Sequence, residues 1–145
     1  MAIKKLAHYS IRTNNLEASL RFYTEVLSFR SGYRPAFPFP GLWLYIDEDE
    51  SEFGAIHLIG VDANSPKGLL DYLGERKAYD QGGTGALDHI AFLASDWQII
   101  RSRCLEHGVP YSERVVPDLG LLQVFLTDPS GLTIELNFPA SEHRR

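Results

Sequence analysis

Only one cysteine, Cys104, occurs in the 145 residues. That excludes an intramolecular disulfide and any cysteine-rich zinc knuckle. Uninterrupted apolar runs of the ~18 residues needed to span a bilayer are missing, so no membrane segment is expected. The opening Met1-Ala2-Ile3-Lys4-Lys5-Leu6 is basic but lacks an apolar core, so no secretory signal is expected. Positive charge is also scarce: 14 Lys and Arg stand against 19 Asp and Glu, a formal net charge of -5. Sequence-independent nucleic-acid binding needs the opposite balance. The remaining composition, 44% apolar and 23% charged, is that of an ordinary folded chain. A chain of this length buries roughly 70% of its unfolded surface, which suffices for a core without covalent staples. The expectation is a cytoplasmic protein acting on small molecules.

The chain contains one pattern written twice. Leu6-Ala7-His8-Tyr9-Ser10-Ile11 opens the first half and Leu87-Asp88-His89-Ile90-Ala91-Phe92 opens the second. In each, Leu precedes His by two and a helix-like segment follows, with Glu25 and Glu106 at the same 17-position interval from their His. Ile56-His57-Leu58 and Ile134-Glu135-Leu136 close the halves in the same way. Such self-similarity points to a duplicated unit.

Alternation predicts a first strand over residues 4–13, with Leu6, His8, Ser10 and Arg12 on one face. A helix is predicted from Leu16 to Leu27, capped by Asn14 or Asn15, with Leu16, Leu20, Tyr23 and Leu27 as its apolar stripe. Prolines at 35, 38 and 40 forbid a regular helix over residues 33–41. Strands are predicted at residues 42–46 and 55–60, around a solvated acidic hairpin at 47–52. Residues 1–62 form a first module and 63–86 a connector, with a short helix around Leu69, Leu70, Tyr72 and Leu73. Residues 87–138 form a second module and 139–145 a frayed tail. In the second module a strand at 87–94 leads to a helix opened by a Ser95/Gln98 capping box and closed by Gly108. Cys104 sits on that helix's apolar face, an inert core residue. Further strands are predicted at 113–116, 122–127 and 132–138, with a type I turn at Asp128-Pro129-Ser130-Gly131. The fold class is α+β, two tandem βαβββ modules whose mixed sheets form a cupped, partly open surface.

His8, His57, His89 and Glu135 stand out as polar residues within apolar strand segments. A carboxylate flanked by Ile134 and Leu136 is costly unless it is paired or binds a cation. Three imidazoles and one carboxylate suit Zn, Ni, Fe, Co or Mn, with the choice among them open. Each residue occupies an equivalent place in its half; if a pseudo-twofold rotation relates the halves, all four project towards one shared centre. His107 ends a helix and His143 lies in the tail, and neither joins this set.

Leu6-Ala7-His8, Ala55-Ile56-His57-Leu58, Leu87-Asp88-His89-Ile90 and Asp128-Pro129-Ser130-Gly131-Leu132-Thr133-Ile134-Glu135-Leu136 resemble the vicinal oxygen chelate superfamily. This group includes glyoxalase I, methylmalonyl-CoA epimerase, extradiol dioxygenases and drug-resistance proteins. The resemblance covers nearly the whole chain, and the chain is most similar to glyoxalase-I-like members. It implies one divalent metal held by His8, His57, His89 and Glu135, and a lyase or isomerase that moves a proton next to a carbonyl. Glu135 and His57 are the implied bases. Glyoxalase I usually carries Glu, and the epimerase Gln, where His57 stands. Arg12 matches an arginine that contacts glutathione in glyoxalase I, while Val61 replaces the asparagine expected with it. Phe37, Phe39, Trp43 and Tyr45 supply either core or a substrate wall, and Arg34, Arg114 and Gln123 are candidate polar anchors. An extradiol dioxygenase is the runner-up, but Phe125 stands where its tyrosine is expected. A metal-free drug-binding module is the alternative of a different class. A homodimer is implied by family members of this size.

Overall fold

The computed structural model describes residues 5–51, 54–62, 64, 67–73 and 87–143, without the side chains of 72 and 73. The chain forms two compact units, Met1–Gln81 and Gly82–Arg145. The predicted punctuation at Ser65-Pro66 and residues 82–85 lies outside the described residues, as does Glu52 of the acidic run.

In the first unit β1 (Tyr9–Thr13) leads into α1 (Leu16–Arg21). The strands β2 (Arg30–Gly32), β3 (Gly41–Tyr45) and β4 (Ile56–Gly60) follow, and then the helix α2 (Lys67–Leu73). The sheet order is β1-β4-β3-β2, with β1 parallel to β4 and the other pairs antiparallel. The second unit repeats this with β5 (His89–Leu93), α3 (Trp97–His107), β6 (Ser112–Val116), β7 (Leu121–Thr127) and β8 (Thr133–Pro139). Its order is β5-β8-β7-β6, again with one parallel pair, β5 with β8. The duplicated βαβββ plan is thus present in both units. The short strand β2 is absent from the sequence reading, because three residues beside a proline-rich loop leave no readable alternation.

Asn15 caps α1, its side chain accepting from the Ala18 amide at 3.0 Å. The predicted 12-residue helix is not uniform. A π-helical turn over Phe22–Val26 follows α1 and shifts the buried face. Tyr23 and Leu27 are buried as the stripe predicts, but Phe22 and Val26 join them while Leu16 and Leu20 are only half-buried. These residues share the unit's interior with Leu44, Ile56 and Leu58. Thr13 Oγ1 accepts from Ser19 Oγ at 3.2 Å and from the Asn15 amide at 3.0 Å, fixing how the strand enters the helix.

The acidic run is not wholly solvated. Glu50 is half-buried and lies 2.9 Å from Arg30 Nη1, whose guanidinium also sits over the Tyr45 ring. The loop between β2 and β3 contains no helix, as its prolines require. It is held by Arg34, whose Nη2 donates to the Phe39 carbonyl at 2.9 Å. On its other side α2 packs tightly: a Cβ on Gly68 would run into the Pro38 carbonyl. Val61 and Leu69 anchor this contact, with Phe39, Ile59 and Leu70 around them.

The second unit corrects two expectations. No Ser95/Gln98 capping box forms. Asp96 takes a left-handed conformation (φ 63°) with no capping bond from its own side chain. The cap comes from the tail instead: Glu142 Oε1 accepts from the amides of Asp96 at 2.8 Å and Trp97 at 3.2 Å. A carboxylate at a helix N-terminus satisfies free amides and suits the dipole. The tail is therefore structured through His143, in a 3-10 turn over Ala140–Glu142. Glu142→Ala is expected to cost about 1–2 kcal/mol in a urea titration, the usual worth of a lost cap. An unchanged midpoint would show that the tail contributes nothing.

Gly108 ends α3 in the left-handed conformation, and Asp128 shapes the turn before β8 by accepting from the Ser130 and Leu132 amides. Cys104 is fully buried, and burial pushes its thiol up to about 11 from 9.0. The folded chain holds that proton more tightly than the unfolded one. This contribution to stability is complete below pH 9 and is lost as pH rises towards 11. At pH 8 a thiol-reactive disulfide reagent is expected to leave folded Cys104 untouched and to label it in urea.

Candidate metal and substrate site

In each unit one face of the sheet carries the singled-out residues. His57 is the second residue of β4, opposite Trp43 on β3 and beside Ser10 on β1. Glu135 lies within β8, opposite Phe125 on β7 and beside Ala91 on β5. His8 is two residues before Ser10, and His89 is two before Ala91. His8 thus immediately precedes its strand and His89 opens its own, rather than lying mid-strand. The two units put a histidine and a second donor at the same diagonal of the same parallel strand pair.

The two diagonals differ in detail. In the first unit the rings of His8 and His57 stack, with centroids 3.7 Å apart and planes 19° from parallel. The other face of His57 stacks on Trp43 at 4.1 Å and 3°. Nearly parallel rings carry their in-plane lone pairs side by side, so one ring must turn for both to grip a single ion. In the second unit His89 Nε2 lies 3.7 Å from Glu135 Oε1. Two donors each ~2.0–2.2 Å from one ion stand roughly 3–3.5 Å apart, so this pair nearly matches a shared cation. Within either unit no cluster of three or more His, Cys, Asp or Glu side chains is gathered among the described residues.

The surroundings of the second pair are specific. His89 Nδ1 is 2.7 Å from Asp88 Oδ2. A carboxylate only accepts, so Nδ1 carries the proton and Nε2 of the neutral ring is a bare acceptor. This hydrogen bond is also the main reason that the imidazole titrates above its ordinary value. Burial opposes the shift, and the charges of Glu135 and Asp88 add to it. Glu135 is 8% exposed, and its Oε2 accepts from Asn137 Nδ2 at 2.8 Å. Asn137 Oδ1 is buried with no hydrogen-bond donor among the described residues. Asp88 and Asn137 escaped the sequence reading. The signal for Asn137 was present, since residue i+2 on a strand shares the face of residue i.

The candidate substrate residues are distributed over the same faces. Arg12 lies on β1 beside Ile59 of β4, in the alternation that includes Ser10 and His57. Trp43 is half-buried against His57. Phe37 continues the row at 6.1 Å from Trp43, and Phe39 stacks on Phe37 at 5.5 Å. Arg34 covers both phenylalanines, at 4.9 and 5.1 Å. Tyr45 is 2% exposed, and its hydroxyl donates to the Tyr33 carbonyl at 2.7 Å. Burial and then Glu50 raise its pKa, against the lowering effect of Arg30. In the second unit Arg114 Nε donates to Gln123 Oε1 at 2.8 Å, with the guanidinium 5.3 Å from the Phe125 centroid. Gln123 is opposite Asn137 in the β7–β8 ladder, one place along the face from Phe125 and Glu135.

The family model described as the Glyoxalase/Bleomycin resistance protein/Dioxygenase superfamily matches residues 5–136. A curated relative, Glyoxylase I 4 of Arabidopsis thaliana, is 28% identical over 138 residues, covering 92% of this chain and 70% of that protein. Among solved structures, the trypanothione-dependent glyoxalase I of Leishmania major superposes with a TM-score of 0.63 at 22% identity, over 96% of this chain and 89% of that one. An antibiotic-binding protein from a Streptomyces species superposes with a TM-score of 0.58 at 23% identity, over 96% of this chain and 98% of that one. At these identities the likeness to the solved structures is one of fold. No helix among the described residues is long and apolar enough to cross a membrane.

Proposed function

Because the chain belongs to the glyoxalase/bleomycin resistance protein/dioxygenase superfamily, we propose that it is a divalent-metal-dependent isomerase or lyase of the glyoxalase I type. His8, His57, His89 and Glu135 are its metal ligands. The observation that carries this reading is the His89–Glu135 pair. With the His89 ring neutral, two acceptors on parallel neighbouring strands stand 3.7 Å apart, each with its other polar atom already engaged. A cation resolves the repulsion between such groups. When bound, the ion supplies a Lewis acid for two adjacent oxygens of a small carbonyl compound.

The chain's own residues would do the rest. Glu135 takes the proton from the carbon beside the carbonyl and returns it to the neighbouring carbon, with His57 as the second base. Trp43, Phe39 and Phe37 offer an apolar row against which the substrate body packs. Tyr45 follows Trp43 two residues along β3, on the same face of the strand. Arg12, and Arg114 with Gln123, are the polar anchors that orient the substrate. A homodimer is part of this reading, tested by sedimentation. The curated Arabidopsis relative supports the activity class.

The deciding assay gives the metal-loaded protein the hemithioacetals of small 2-oxoaldehydes with several thiols. Isomerisation to the thioester, with solvent deuterium entering the product carbon, is expected. Oxygen uptake with catechols instead would assign it to ring cleavage. Tight drug binding without bound metal would assign it to sequestration, a reading that the aromatic row and the antibiotic-binding neighbour favour.

A further inference from the structure

We propose that Asp88 and Asn137 are the positioning residues of the His89–Glu135 pair, each holding one member of the pair by a hydrogen bond to the atom that faces away from its partner. The inference deepens the metal-site reading above and rests on it.

The contacts run in the order Asp88–His89···Glu135–Asn137. Asp88 Oδ2 accepts from His89 Nδ1 at 2.7 Å. An imidazole has two nitrogens and, when neutral, one proton, so fixing that proton on Nδ1 leaves the lone pair on Nε2. Without Asp88 the proton is free to move to Nε2, where Glu135 Oε1 would attract it and the donor atom would be lost. At the other end Asn137 Nδ2 donates to Glu135 Oε2 at 2.8 Å. The amide cannot reverse, because its carbonyl oxygen would then face the carboxylate. Asn137 Oδ1 is left buried and unpartnered among the described residues. Such an orphan acceptor is costly, and this cost is consistent with an orientation imposed by Glu135. The two outer residues therefore select one nitrogen and one oxygen and turn them towards the same point. Each belongs to the unit's own β5–β8 neighbourhood, so the arrangement needs nothing from elsewhere in the chain.

The test has two independent readouts. In metal-free protein, long-range proton–nitrogen NMR reports the His89 tautomer at a pH where the ring is neutral. The wild type is expected to be the Nδ1–H form, and Asp88→Asn is expected to shift it towards Nε2–H, with Asp88→Glu restoring it. Asp88 is 92% exposed, so this change leaves folding intact. Titration with Co²⁺ alone then measures binding. Asp88→Asn and Asn137→Leu are each expected to weaken it 10–100-fold, the usual effect of losing a partner that orients a ligand. Glu17→Gln, on the exposed face of α1, serves as the reference. An Nε2–H ring in the wild type, or a tautomer indifferent to Asp88, overturns the proposal. The expected tautomers with no Co²⁺ binding by the wild type would instead sink the metal reading, leaving Asp88 as the residue that fixes the ring.

Discussion

Glu135→Ala is expected to abolish stoichiometric divalent metal in the purified protein, as read by elemental analysis and by titration of the metal-free form. The loss should exceed ~100-fold in affinity, because a ligand is removed rather than one of its supporting partners. His89→Ala should do the same, and His107→Ala, an exposed residue in the last turn of α3, should not. The size of the effect follows from where Glu135 stands. It is 8% exposed, hydrogen-bonded through one oxygen, and turned towards His89 Nε2 with the other. Alanine removes the only negative charge of the proposed ligand set together with an oxygen the strand holds in place. Unchanged metal content in Glu135→Ala would leave the ligand set without support. A Glu135→Gln protein that keeps the ion but loses deuterium incorporation would separate the base from the ligand.

Trp97→Ala is expected to be the most destabilising single truncation, at about 3–5 kcal/mol in urea unfolding. That is a large part of the ~5–15 kcal/mol by which such chains are stable. Trp97 is 1% exposed and begins α3. Its ring meets Tyr111 edge-on at 5.1 Å and Phe138 of β8 at 5.4 Å. Its amide also receives the Glu142 cap. One side chain therefore joins the helix, the loop before β6 and the last strand. A cavity there cannot collapse without moving β8, the strand that carries Glu135. The metal affinity of the surviving folded fraction is accordingly expected to fall as well. A cost below 1 kcal/mol would show that the second unit has no single packing centre.

The repeat, the α+β class and most strand segments are determined by the sequence itself. Local alternation and turn chemistry reside in neighbouring residues, as the Asn15 cap, the Asp128 turn and Gly108 illustrate. The same holds for His57 and Glu135, whose parity along β4 and β8 fixes the face they occupy. Contacts between distant segments were decided only by the tertiary structure. Glu142 caps a helix 46 residues away, displacing a local capping box that looked adequate. Asp88 and Asn137 are chain neighbours of the residues they bond, and there the structure decided only the side-chain rotamers that bring them to 2.7 and 2.8 Å. The π-helical turn at Phe22–Val26 rotates the buried face of a helix whose stripe reads as regular. Local order follows from short-range sterics and hydrogen bonds. The direction in which a donor atom points follows from the rotamers that packing and neighbouring polar atoms select together.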